Sequence, residues 1–239
     1  MEIEEKINFA KKELEADLKN KNMAFLIEMM SSRENYSPLI KEWRKNVTSS
    51  VDLISHFAYV KARSLNKNEN KMELLELLKS KKYIDHKEYI YYALSFFCKN
   101  THDIDLFNFL MEKLSHEKQQ NCKINILLGI DEMNKCFGNI NLTPIVDLIE
   151  NRSKIIKISA LRALKHTCKD GIEDILLNLF TTTNKSYIKD IICDPLKSIG
   201  TKKSIPILEH AYKKTRDTFL RNQIVHTVED IRKRIESKN

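Results

Sequence analysis

Three cations, Lys157, Lys189 and Arg221, recur at intervals of 32 residues and are the side chains whose type and spacing could do chemistry in this chain. Each closes an apolar-apolar-basic triplet: Ile155-Ile156-Lys157, Tyr187-Ile188-Lys189 and Phe219-Leu220-Arg221. A second pair, Lys165 and Lys197, keeps the same register until Glu229 interrupts it. Cations repeated at a fixed interval hold an anionic surface, either a phosphate backbone or an acidic protein face. In a regular stack of repeats they would form a stripe roughly 20 Å long. They compose a binding stripe or, as the alternative, a solvated face set by helical patterning, and not an active site.

Residue patterns that carry catalysis are missing from the sequence. It has no G-x-S-x-G and no H-E-x-x-H, and its four scattered glycines could not build a phosphate loop. His56 and Asp52 sit one helical turn apart, a spacing that serves a local hydrogen bond. The seven histidines share no ligand register, and the five cysteines (98, 122, 136, 168 and 193) include no C-x-x-C pair. Those cysteines fall in apolar helical patterns and read as small core hydrophobes. No catalytic residue, metal ligand or cofactor is assigned.

One further cluster invites a partner. The run Tyr89-Ile90-Tyr91-Tyr92-Ala93-Leu94-Ser95-Phe96-Phe97 is too apolar for every residue to face inward on a one-sided helix. Tyr89, Tyr91 and Tyr92 are therefore candidates for an aromatic interface, with core packing as the alternative.

These residues need elements to position them, and the composition specifies helices. The chain has 239 residues, 42% hydrophobic and 31% charged, with only four Gly and four Pro. So few turn-forming residues favour helices joined by short connections. No apolar run reaches the 18 residues of a membrane span, and the acidic N-terminus is unlike a secretory signal, so a cytoplasmic location is expected. Net charge is +8, unevenly spread: residues 151–239 hold 19 Lys/Arg against 10 Asp/Glu, whereas residues 1–150 are almost neutral. The excess belongs to the segment with the 32-residue register and points to an acidic partner.

Along the chain, Ile3, Ile7, Ala10, Leu14 and Leu18 mark a long amphipathic helix, followed by a second over Met23 to Met30. Ser37-Pro38 opens a helix through Trp43, and Thr48-Ser49-Ser50 caps one from Val51 to about Leu65. The polar tract Asn66 to Asn70 is the expected boundary, dividing an N-terminal cap region (1–66) from a repeat array (67–239) within one continuous domain. Beyond it the pattern reads as helix pairs. Met72–Leu78 pairs with Lys87–Cys98, Ile104–Leu114 with Gln120–Cys136, and Pro144–Ile149 with Lys154–Cys168. Ile172–Phe180 then pairs with Tyr187–Ile199, and Ile205–Tyr212 with Thr218–Ile231. Pro195, inside one of these helices, is expected to kink it. Ile155, Tyr187 and Phe219 are read as core positions.

With paired helices, a period of 31–34 and the segment Ala160-Leu161-Arg162-Ala163-Leu164, the chain resembles the HEAT-repeat family over about residues 71–233. The resemblance implies an all-α, right-handed solenoid of about five helix pairs behind an N-terminal helical cap. It implies architecture far more than activity. A HEAT-like hydroxylase family builds a di-iron site from several His-Glu pairs, of which this chain has one, His116-Glu117. HEAT-like DNA alkylation-repair glycosylases use tryptophans, and here only Trp43 is present, in the non-repeating region. The expected function is non-catalytic protein binding of the adaptor or toxin-neutralising immunity type. The alternative is nucleic-acid binding through Lys157, Lys189 and Arg221.

Overall fold

A computed structural model describes residues 3–40, 49–133, 141–165 and 171–237. Among them are thirteen α-helices and three 3₁₀ turns, and β pairing is limited to one isolated bridge between Asn35 and Leu53. The chain divides into two compact units, Met1–Thr101 and His102–Asn239. The helix expected from Pro38 to Trp43 lies largely outside the described residues.

The first unit contains α1 (Ile3–Asn20), α2 (Met23–Met30), α3 (Ile54–Arg63), α4 (Asn68–Lys79) and α5 (Lys87–Thr101). Local chemistry sets the helix starts. The Asn22 side chain accepts from the Phe25 N–H at 3.0 Å, and the Asp52 carboxylate accepts from the Ser49 N–H at 3.0 Å. Helix α5 packs against α2, α3, α4 and the Lys81–His86 turn. Residues 90–98 carry no charge, and all nine are buried. A helix that is apolar on every side belongs inside. The boundary expected at 66/67 falls within this unit, because Asn68 to Asn70 open α4, which packs on α2 and α5.

The second unit contains α6 (Ile104–His116), α7 (Gln120–Asp131), α8 (Thr143–Val146) with the 3₁₀ turn Asp147–Glu150, and α9 (Lys154–Ala163). It continues with α10 (Ile172–Thr182), α11 (Ser186–Ile199), α12 (Ser204–Lys214) and α13 (Thr218–Glu236). Each falls where the sequence placed a helix. Successive second helices pack side by side, α7 on α9, α9 on α11 and α11 on α13; among the first helices, α6 meets α8 and α10 meets α12. Within each pair the two helices also touch.

Every second helix drives a stripe into this core, shown by Ile156, Ala160 and Leu164, then Ile188, Ile192 and Leu196, then Leu220, Ile224 and Val228. The i, i+4, i+8 spacing keeps each set on one side of its helix. Pro195 is buried inside α11 without ending it. Gly200 ends that helix in a crowded place: a Cβ there would lie 2.6 Å from the Leu196 carbonyl oxygen and 2.8 Å from the Ile231 side-chain tip. Cys98, Cys122 and Cys193 are buried, and burial pushes the Cys193 thiol up to about 12.

Candidate functional site

The three register cations sit in the first turns of α9, α11 and α13, and each is directed at the end of its pair's first helix. Lys157 Nζ lies 3.8 Å from the Glu150 carboxylate. Lys189 Nζ lies 5.5 Å from the centre of the Phe180 ring, and the Arg221 guanidinium 4.5 Å from that of Tyr212. Glu150, Phe180 and Tyr212 all belong to the last turn before the connection. The fixed register therefore has a local cause: one cation closes each helix pair against a carboxylate or a ring face, a contact worth about 0.5–1 kcal/mol at such partly exposed positions.

The second row joins neighbours instead. Lys165 Nζ meets Asp131 at 3.2 Å, across to the end of α7. Lys197 Nζ contacts Asp194 at 3.4 Å and Gln223 of α13 at 3.1 Å. Arg234 of α13 donates to the Lys197 carbonyl at 3.4 Å and to the Gly200 carbonyl, closing the end of α11. Between these cations stand carboxylates. Burial, then the nearby Asp194 charge, holds the Asp190 carboxyl above its usual range against the opposing pull of Lys197. The face is thus mixed in sign rather than uniformly basic.

Two of the aromatic expectations reverse. Tyr91 and Tyr92 are each 3% exposed and belong to the core of the first unit. Tyr92 accepts a hydrogen bond from Arg63 Nε and packs edge-on to Tyr59, with ring centres 4.8 Å apart. Tyr89 is half-buried beside Tyr59 and His86. An aromatic interface at Tyr91 and Tyr92 is ruled out by this burial, since α5 is surrounded by helices.

Conversely, Ile155 is 54% exposed and Phe219 is 63% exposed, so neither is a core residue. Tyr187 is half-buried, with Lys154 Nζ 4.2 Å from its ring centre. The signal lay in the neighbours one and two turns on. Phe219 shares its helix face with Asn222, Gln223 and His226, all polar, so that face looks outward.

Beside this row, a groove of about 820 Å³ opens between the ends of α10 and α12 and the starts of α11 and α13. Phe180, Pro206 and Ile207 supply apolar lining, and Lys189, His210 and Lys214 supply basic groups. None of its lining residues is a carboxylate. Among the described residues no three His, Cys, Asp or Glu side chains gather as metal ligands, and no helix is long and apolar enough to cross a membrane. No family model, curated protein or solved structure gave a significant match to the chain.

Proposed function

We propose that this chain is a non-catalytic binding protein, built as a right-handed HEAT-like solenoid, that presents one face of its repeats to an acidic protein partner. The observation that carries the reading is the side-by-side packing of α7, α9, α11 and α13, which sets equivalent residues in a row. Extended faces of this type are what stacked helix pairs offer to large partners. The surplus positive charge of residues 151–239 selects an acidic partner. An adaptor or a toxin-neutralising immunity protein fits this description. Nucleic acid is the second reading and rests on the same charge. Asp190 and Asp194 count against it, because they stand among the cations that a phosphate backbone would need.

The test measures binding of a generic duplex to the wild-type chain and to K157A/K189A/R221A, at low and high salt. The expected result is no tight, salt-dependent duplex binding. Strong binding at low salt that disappears in the triple variant would overturn the protein-partner reading in favour of nucleic acid. A thermal melt of the triple variant checks that the helix pairs stay closed.

A further inference from the structure

The row Ile155, Tyr187 and Phe219 occupies the same place in three consecutive helices that pack against one another, so it forms a ladder roughly 20 Å long, exposed at Ile155 and Phe219 and half-buried at Tyr187. Apolar side chains left open at a repeated position cost solvation in the free protein and mark a place where something is covered. The charge just before each rung is basic, whereas Asp190 and Asp194 continue the helix face of Tyr187. In the three residues before each rung stand Arg152 and Lys154, then Lys185, then Arg216, all exposed. The one acid among those positions, Asp217, is occupied as the cap of α13, accepting from the Leu220 N–H at 3.1 Å.

The groove takes in the starts of the same helices, since Ser186 and Lys189 of α11 and Leu220 of α13 line it, although none of the rungs does. Its lysines and histidine surround an apolar floor with no carboxylate. A pocket of this composition accepts an apolar group that carries negative charge beside it. Bare nucleic acid fits less well. Ile155 is aliphatic and offers no ring for stacking.

From these observations we infer that the ladder and its groove are the docking site for an acidic amphipathic helix of a partner protein. The partner's apolar face would lie along Ile155, Tyr187 and Phe219, and its carboxylates on Lys154, Lys189 and Lys214. Such recognition is read through apolar anchors at helical spacing, with surrounding charge setting orientation and association rate. The inference rests on the protein-binding reading above and deepens it by naming the surface and the chemistry of the partner.

The experiment uses a labelled peptide of about 14 residues, long enough as a helix to span the ladder, with leucines at helical spacing and glutamates elsewhere. Fluorescence anisotropy compares it with an all-glutamate peptide and a single-stranded oligonucleotide. The receptors are the wild-type chain, I155S/F219S and K189E/K214E; the first variant alters exposed positions, the second also removes the Lys189 contact with the Phe180 ring, and circular dichroism with a thermal melt confirms that both stay folded. The expected outcome is binding of the leucine-glutamate peptide, weakened about tenfold or more by each variant. The all-glutamate peptide should bind at least about tenfold more weakly than its leucine-bearing counterpart.

Absence of binding by the leucine-glutamate peptide overturns the inference, as does binding indifferent to both variants, or preference for the oligonucleotide. The broader reading fails separately. A natural protein partner that binds I155S/F219S as well as wild type would sink the ladder while leaving protein binding intact.

Discussion

Helix α5 of the first unit and helix α13 of the second both carry aromatic residues near their starts, and the two put them to opposite use. In α5, Tyr91, Tyr92, Phe96 and Phe97 are enclosed, and the charged Arg63 approaches Tyr92 and Phe96 from α3. In α13, Phe219 stands in solvent beside Arg216 and Arg221. Residue type does not separate the cases, because a phenyl ring is equally hydrophobic in both. The company along the helix does: apolar residues surround the α5 aromatics on every side, whereas Asn222, Gln223 and His226 continue the face of Phe219. A buried ring contributes to stability, and an exposed one remains available to a partner.

The comparison can be broken by mutation. Phe96→Ala should cost about 3–5 kcal/mol in urea unfolding, the usual range for emptying a fully buried phenyl site, whereas Phe219→Ala should stay within about 0.5 kcal/mol. Equal losses at the two sites would dissolve the distinction. Next in size, Gly200→Ala should destabilise by about 1–3 kcal/mol in the same assay, since its new Cβ meets the Leu196 carbonyl and Ile231. An unchanged midpoint would mean that α11 and α13 do not approach there as described.

Arg221→Gln removes the guanidinium from the Tyr212 ring and should cost up to about 1 kcal/mol, testing whether the register cations close their own helix pairs. The smallest effect concerns pH. The folded state raises the Asp190 carboxyl, so it binds that proton more tightly than the unfolded chain does. Its contribution to stability is therefore present at low pH and is lost as pH rises from the ordinary carboxylate value through the folded one. Asp190→Asn should raise the melting temperature at neutral pH and have little effect near pH 3, where the carboxyl is largely protonated in either state. An equal shift at both pH values would remove the charge explanation.

Much of this architecture was legible from spacing alone. The helices of the second unit begin where Pro144, Gly171 and the apolar periodicities place them, because such signals act within a few residues, but α7 and α9 end at Asp131 and Ala163 rather than at the expected Cys136 and Cys168. What spacing could not supply was depth. Ile155 and Ile156 are chemically identical neighbours, yet one is exposed and the other buried, since a rotation of about 100° per residue carries them to different faces. The α5 tyrosines were ambiguous for a related reason. Whether an all-apolar helix is enclosed depends on how many other helices surround it, and that is settled by α2, α3 and α4 rather than by α5 itself. The polar Asn66 to Asn70 tract resembles a linker in composition, yet Asn68 to Asn70 form the first turn of α4.

Synthesis order gives the enclosed helix one more consequence. A stretch of nine uncharged residues, rich in aromatics, is the kind of segment that associates with other chains when left open. The elements that principally wrap α5, namely α2, α3, α4 and the Lys81–His86 turn, all precede it in the chain. A ribosome therefore delivers the shelter before it delivers the hazard, and the segment can be covered as soon as it emerges. Proteolysis of nascent chains stalled just late enough for Thr101 to have cleared the ribosome should already find residues 90–98 protected, and cleavage there would show that cover arrives later.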